Sequence, residues 1–569
     1  MVDASNIIQA AVNSLSEGRA LRGLRILLAG LIFALLFAAY AHQRFRGLDS
    51  DDAMAHAQLA RNLARNRGFL TQCTTPFELD KLRNARGAAP SAARLPELRR
   101  APGYPFVLSA VFKAAKPSFR PPAGGTIFAP ERKAIVPLGI GFSLLTILFV
   151  FLMARRLWSA RVGLLAAALY AVGDSVLALS ISGGPLPMAA CLTTAAAWLA
   201  VCAADADEHG RRGCMFAGFA ASALVAGAAA LTVYTSLAAA VLLAGFLASR
   251  LKRWRVTSFF IYVVIVAAVV SPWLLRNRAL CGNLFGTAPY EAFEETFLFP
   301  GKTLAASWEP VFRTSLVPAA LKAKWSGNLV RLYEVAFLPL GASVLLCLFV
   351  AGWVHRFEES PARGLHGWVI AGVVATAGLA ALGGSGAGMR MHIWLPLIVL
   401  YAAGFFTALT DRVRIEDELK ILIECALVVL VAAPAVLNMA MLPPERPYPP
   451  YYPPFIARTG GYLAPHEVQC SDVPEASAWY ADRTSVLRPR SVDAFMAMHR
   501  EWRPLSGLLL TTRTSDKRLF GELLSGPYRS WLPLLDGRVP EDFPLRHTVT
   551  LPADGAEQIF LTDRPRWPG

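Results

Sequence analysis

Apolar runs of about twenty residues recur along most of this sequence, and they limit what it can fold into more than any other feature. About 20 helical residues cross the hydrocarbon core of a bilayer. A segment in lipid must also satisfy every backbone N–H and C=O internally, so the runs are expected as membrane-spanning helices. They fall at roughly 24–41, 134–154, 162–181, 186–204, 215–232, 234–250, 256–275, 333–354, 366–383, 393–410 and 420–441. The stretch 215–250 is too long for one span and divides near Tyr234-Thr235-Ser236. Only 17% of the 569 residues are charged, against roughly 25% in an average soluble domain. The expected fold class is a polytopic α-helical membrane protein of about eleven transmembrane helices, with a small C-terminal α/β extracytoplasmic domain.

The formal net charge of +16 belongs with this reading. Lys and Arg in short cytoplasmic loops orient membrane proteins and meet anionic head groups. No module interleaving aromatic and basic residues is present, so nucleic acid is not an expected partner. The eight cysteines, Cys73, Cys191, Cys202, Cys214, Cys281, Cys347, Cys425 and Cys470, form no CxxC pair, and no HExxH occurs. Cys73, Cys281 and Cys470 lie outside the apolar runs, and a pair of them facing an oxidising compartment would be able to bridge. The first apolar run follows Arg19, Arg22 and Arg25 and ends at His42-Gln43-Arg44, without a small-residue cleavage site. It is expected to remain as an anchor.

One segment decides the topology. Gly103 to Ala115 is apolar but only about 13 residues long, which suits an interfacial or re-entrant helix. If it does not cross, and the N-terminus is cytoplasmic, five basic loops fall on the cytoplasmic side. They lie at Arg155-Arg156…Arg161, Arg211-Arg212, Arg250…Arg255, His355-Arg356…Arg363 and Arg412…Arg414. The predicted domains are then a transmembrane unit over 1–441, a Pro-rich extended linker over 442–460 and a small extracytoplasmic domain over 461–569. The transmembrane unit carries large outer loops at 42–133 and 276–332.

Four clusters on the outer side carry candidate chemistry. Asp51-Asp52 follow the first span and lead into a helix. Such residues cap helix N-termini, and a carboxylate at a low-dielectric boundary, its pKa raised, also serves as a general base. Arg99-Arg100-Ala101-Pro102-Gly103-Tyr104-Pro105 sets arginines at the interface, where they snorkel to lipid or grip a phosphate. Ser271-Pro272-Trp273-Leu274-Leu275-Arg276-Asn277 ends a span with a guanidinium fork suited to phosphate oxygens. Gly383-Gly384-Ser385-Gly386 leads into Arg390 and His392; a Gly-rich backbone near a cation approaches anions closely, and it also serves as a plain inter-span loop. Carboxylates and three arginine sites on one face suit a lipid-phosphate substrate, with its tail in the bilayer and its sugar in a cavity beyond.

These blocks, in this order, resemble the GT-C membrane glycosyltransferases of the protein mannosyltransferase and aminoarabinose transferase type. The resemblance rests on Asp51-Asp52-Ala53 with Gln58-Leu59-Ala60-Arg61-Asn62-Leu63, on Arg100-Ala101-Pro102-Gly103-Tyr104-Pro105, and on Pro272-Trp273-Leu274-Leu275-Arg276-Asn277. It extends to Arg390-Met391 with Leu395-Pro396, and to Ser471-Asp472-Val473-Pro474 with Ala478-Trp479-Tyr480-Ala481-Asp482-Arg483 in the tail. It implies a catalytic base at Asp51 or Asp52, the acidic pair favouring the first and the spacing to Arg61-Asn62 the second. It also implies donor-phosphate contacts from Arg100, Arg276 and Arg390, and a substrate cavity near Tyr104, Trp273, Asn277 and His392. The sequence departs from the family pattern at Ser182-Gly183-Gly184-Pro185-Leu186-Pro187, which holds no Glu, at Val233-Tyr234 after Leu231-Thr232, and at Met54.

The expected function is therefore inverting transfer of a hexosyl or pentosyl group from a polyprenyl-phosphate carrier to a lipid, glycan or protein acceptor. It would take place on the extracytoplasmic face of a bacterial inner membrane. No cofactor is indicated, and the family is compatible with a divalent metal. The rival readings are a transporter or flippase for lipid-linked sugars and a catalytically inactive scaffold of the same fold. Few charges fall inside the spans, which favours an enzyme.

Overall fold

A computed structural model describes residues 19–88, 90–120, 127–251, 255–332, 344–354, 360–384, 386–441, 452–515, 521, 523–551 and 558–567. Helix α1 (Arg19–Arg44) is followed by an outer layer of α2 (Asp51–Ala64), the short strand β1 (Cys73–Thr74), α3 (Pro76–Arg86) and α4 (Gly103–Ala115). The bundle continues with α5 (Val136–Leu157), α6 (Ala160–Ala171), α7 (Asp174–Ile181), α8 (Leu186–Glu208), α9 (Arg212–Thr232), α10 (Ser236–Arg250) and α11 (Arg255–Cys281). After a second outer loop come α12 (Val317–Leu332), α13 (Val344–Val354), α14 (Ser360–Ala380), α15 (Leu395–Arg412) and α16 (Asp417–Ala440).

The chain is a multi-span membrane protein. Among the described residues, seven helices are long and apolar enough to cross a bilayer, or eight if the bent pair α6–α7 is one span. Shorter apolar helices stand at Ser236–Arg250, Val344–Val354 and Gly364–Ala380. Residues 333–343, the first half of one expected span, lie outside the described residues. Apolar side chains left exposed on α1 (Leu27, Leu31, Leu35), α11 (Phe260, Val264) and α16 (Val429, Val436) have no protein to cover them, as lipid-facing helices require.

One span differs from its expectation. The run 162–181 is not a straight helix but bends by 60° between α6 and α7. Gly173 leaves helical geometry at φ −65°, ψ 123° and opens a new helix N-terminus. Asp174 sits in its first turn, where it accepts hydrogen bonds from Asn438 Nδ2 at 2.8 Å and Tyr40 Oη at 3.4 Å.

The basic loops gather at one end of the bundle. Arg156 pairs with Asp205, Arg161 with Asp411 (3.2 Å) and Glu424 (2.8 Å), Arg211 with Asp205 (3.5 Å), and Arg250 with Glu208. The loop at His355-Arg356 lies outside the described residues. Helix α4 is short for a membrane span. Its 13 residues extend only about 20 Å, and it packs along α2 in the outer layer. Gly103 lets its first turn meet the end of α9, since a Cβ there would lie 2.9 Å from the Leu231 carbonyl oxygen.

The tail folds as α17 (Pro453–Tyr462), β2 (Val468–Ser471), α18 (Pro474–Tyr480), β3 (Thr484–Leu487), α19 (Val492–Glu501), β4 (Gly507–Leu510), β5 (His547–Leu551) and β6 (Gln558–Thr562). The expected extended linker over 442–460 overlaps α17. Residues 442–451 lie outside the described set, and Pro453 starts a helix, where its missing N–H costs nothing. The sheet order is β1-β3-β2-β4-β6-β5, so the domain takes in a strand from the first outer loop, Cys73 and Thr74 pairing in parallel with Ser485 and Val486. All eight cysteines are free. Cys73 and Cys470 sit on β1 and β2 with β3 between them, about two strand spacings or ~10 Å apart, which is beyond disulfide reach.

Candidate active site

Ser50 starts the site. Its backbone is extended and its Oγ accepts the Ala53 N–H at 3.4 Å, which ends the first span's connection and begins α2 with Asp51 and Asp52 in the first turn. The two carboxylates then part. Asp51 is mostly covered and pairs with Lys302 Nζ at 2.9 Å and Arg513 Nη1 at 3.0 Å. Asp52 accepts from Arg100 Nε at 2.9 Å and lies 3.5 Å from His56 Nε2, yet its side chain is 56% exposed. Crowding by the surrounding protein pushes the Asp52 carboxyl up, but His56 and Arg100 outweigh it and hold the group well below the usual carboxylate range. The raised pKa expected at a membrane boundary is therefore not found for Asp52, because Arg100 and His56 face it.

The four residues Glu97 to Arg100 connect the rest. Glu97 Oε1 accepts the backbone N–H groups of Arg99 and Arg100, each at 3.0 Å. Its carbonyl accepts from Arg276 Nη1 at 2.9 Å. Arg100 is surrounded by Asp52, Glu97 (3.7 Å) and Glu475 (3.8 Å). Arg99 binds one oxygen of Glu291 at 2.9 Å and Arg390 binds the other at 2.7 Å. Of the three arginines singled out in the sequence, Arg100 belongs to this segment, Arg276 bonds its Glu97 carbonyl, and Arg390 reaches it through the Glu291 carboxylate that it shares with Arg99. Arg100 and Arg390 are held there by carboxylates, and Arg276 by a carbonyl.

Gly286 brings the second outer loop onto this segment. It has φ +63°, and an added Cβ would sit 1.9 Å from the Leu98 carbonyl oxygen, beside the Thr287 N–H that bonds that same oxygen at 3.1 Å. Gly286→Ala is expected to lower stability by about 1–3 kcal/mol and to reduce activity with it. A thermal melt of the purified variant checks this, and an unchanged melt would show that the loop shifts freely.

Burial pushes Glu291 up, but Arg99 and Arg390 pull its pKa down to about 2. A carboxyl depressed in the fold contributes stability that is complete above its ordinary value of 4.5 and is lost as pH falls toward about 2. The second outer loop should therefore resist limited proteolysis at pH 5 as it does at pH 7. Glu291→Gln should make it cleavable at both, and equal protection of variant and wild type would rule out the bridge as its anchor.

The remaining expected residues take supporting positions. Trp273 donates Nε1–H to Tyr234 Oη at 2.8 Å and lies under Arg276, whose Cζ is 4.2 Å from its ring. Asn277 is buried, accepts from Arg276 Nη1 at 2.9 Å and lies 3.5 Å from Tyr234 Oη. Tyr104 is buried with its ring edge-on to His56 at 5.6 Å, so it packs behind Asp52 instead of lining an open cavity. His392 is buried with Nδ1 2.9 Å from the Met389 carbonyl, beside a small cavity bordered by Ser143, Tyr170 and Pro187.

Sequence reading missed five charged members of the site: Glu97, Glu291, Lys302, Glu475 and Arg513. Glu97 lies in a segment read for its arginines, and Glu291 belongs to a local acidic run with Glu294 and Glu295. Glu475 directly follows a block quoted for its family likeness. Nothing in the sequence marks Lys302 or Arg513. Among the described residues, no three His, Cys, Asp or Glu side chains come together as a metal-binding set. Asp52 turns one oxygen to Arg100 and the other to His56. These residues do not fit a divalent ion.

A family model described as dolichyl-phosphate-mannose-protein mannosyltransferase matches residues 124–275. The oligosaccharyltransferase of Archaeoglobus fulgidus, solved with zinc and sulfate, is 12% identical with a TM-score of 0.55, over 88% of this chain and 70% of its own. The same organism's oligosaccharyltransferase AglB, solved with an inhibitory peptide and a dolichol-phosphate, gives 12% and 0.51 over 86% and 69%. ArnT from Cupriavidus metallidurans, solved with undecaprenyl phosphate, gives 12% and 0.53 over 95% of this chain and 99% of its own. No curated protein matches the chain. At these identities the likeness is one of fold.

Proposed function

We propose, from the fold shared with these solved structures, that this chain is a GT-C glycosyltransferase that transfers a sugar from a polyprenyl-phosphate carrier to an acceptor. The site would lie on the extracytoplasmic side of a bacterial inner membrane, with the N-terminus cytoplasmic. One observation carries the reading: an exposed, ionised Asp52 is paired with Arg100 on a segment whose Glu97 carbonyl binds Arg276 and whose Arg99 shares Glu291 with Arg390. Fold relatives solved with undecaprenyl phosphate and with dolichol-phosphate support a lipid-phosphate donor.

In this reading Asp52 takes the proton of an acceptor hydroxyl or amine. The freed lone pair attacks the anomeric carbon from the face opposite the phosphate, the sugar–phosphate C–O bond breaks, and the configuration inverts. The leaving polyprenyl phosphate gains negative charge, and preorganised guanidinium groups offset it. Arg100 and Arg390 exchange a carboxylate partner for the phosphate as the donor enters. Asp52 then loses its Arg100 partner and becomes a stronger base, which suits proton abstraction.

The test is purified protein in lipid, given a panel of radiolabelled polyprenyl-phosphate sugars with a membrane extract as acceptor. Release of free polyprenyl phosphate from one donor is expected. A folded protein that releases none from any donor would overturn the reading and favour a flippase or an inactive scaffold.

A further inference from the structure

The C-terminal domain reads in the sequence as an appendage, joined to the membrane unit through a Pro-rich stretch. In the fold it is built into the site. β1, from the first outer loop, is a strand of its sheet. Trp479 and Tyr480 of α18 each donate to Glu131, ahead of α5, at 2.9 Å. Two charged side chains of the domain reach the acidic pair. Arg513, just after β4, places Nη1 at 3.1 Å from Asp51 Oδ1 and 3.0 Å from Oδ2. Glu475, in the first turn of α18, lies 3.8 Å from Arg100 Nη2.

We propose that the C-terminal domain is a working part of the transfer site, in which Arg513 is a positioning residue. Together with Lys302 it pins Asp51 and leaves Asp52 as the carboxylate open to the acceptor. The inference rests on the transfer reading above. Its physical basis is charge. Two adjacent carboxylates in one helical turn repel each other, and each raises the other's pKa unless a cation intervenes. Lys302, Arg513 and Glu475 face Asp51, and His56 and Arg100 face Asp52. Removing Arg513 leaves Asp51 less compensated beside Asp52 and frees it to compete for Arg100.

The test is a double-mutant cycle on the full chain in lipid, using Arg513→Ala, Asp51→Asn and both together, with Arg513→Lys as the conservative variant. Arg513→Ala is expected to lower kcat by about 10- to 100-fold with little change in donor KM, and Arg513→Lys to restore most of it. In the Asp51→Asn background, Arg513→Ala should add nothing. The acid limb of the kcat–pH profile should move to higher pH in Arg513→Ala and to lower pH in Asp51→Asn, opposite shifts that a lost structural contact does not produce. Equal losses from Arg513→Ala in both backgrounds, or a fall in kcat with an unmoved acid limb, would overturn the positioning role while leaving transfer intact. A wild type that transfers no sugar removes both.

Discussion

Replacing Asp52 with asparagine is expected to cut sugar transfer by about 10²–10⁴-fold while leaving the chain folded. The substitution preserves shape and still offers Arg100 an oxygen, so the ion pair weakens but packing does not change. What is lost is the capacity to take a proton. Asp51→Asn should have the smaller effect, because Asp51 is already committed to Lys302 and Arg513 and is largely covered. Turnover measured against the matching donor, with size-exclusion profiles of each variant alongside, decides the point. Near-normal turnover in Asp52→Asn with complete loss in Asp51→Asn would reverse the assignment. The pH dependence has a defined sign. The Asp52 carboxyl is held well below its ordinary value, so before the donor binds it stays ionised down to strongly acidic pH. Any acid limb seen near neutrality would then report a rise caused by Arg100 leaving for the phosphate.

The second large effect concerns stability. Arg61→Met is expected to destabilise the docked C-terminal domain by about 2–4 kcal/mol, the cost of leaving buried carbonyl acceptors without a donor, while Asp482 keeps Arg65 as a partner. Arg61 is fully buried on α2. It donates to the carbonyls of Trp479 at 2.8 Å and Ala478 at 2.6 Å and to Gln72 Oε1 at 3.0 Å, and it pairs with Asp482 at 2.9 Å. Its guanidinium also lies over the Trp479 ring at 5.2 Å. Methionine fills comparable volume but supplies no donor, so two carbonyls are left buried and unpaired. Thermal unfolding in lipid and the rate of protease cleavage within 461–515 both read the result. A melt within a degree or two of wild type would mean that β1 pairing and the Glu131 bonds hold the domain without Arg61.

Much of this architecture was legible before any coordinates. Among the described residues, seven of the expected spans coincide with helices long and apolar enough to cross, and an eighth with the bent pair, because hydropathy over some twenty residues is a local property that lipid reads directly. Gly103–Ala115 was recognisable as too short for a full span, and the basic loops marked one end of the bundle by composition alone. The break inside 162–181 was not legible. Its cause is a single Gly173 followed by an Asp174 that needs Tyr40 and Asn438 as partners from distant helices. Nor was the placement of β1, two residues long, with its pairing partner in the C-terminal domain.

The candidate site divides along the same line. The sequence by itself singled out an acidic pair and arginines at 100, 276 and 390 as residues expected on one face of one membrane, since alternation of spans would assign every loop to a side. Only the tertiary structure decided what each charge does. Asp51 and Asp52 are adjacent in sequence and in helical turn, yet Asp51 is clamped by Lys302 and Arg513, the latter 462 residues away, and Asp52 remains open. Glu291 neutralises Arg99 and Arg390 across separations of 192 and 99 residues. Hydropathy is additive along a chain, and so a window of sequence reports it. The state of a carboxylate depends instead on which cations the fold brings within a few ångströms and on how much water remains beside it, and both are properties of the assembled tertiary structure.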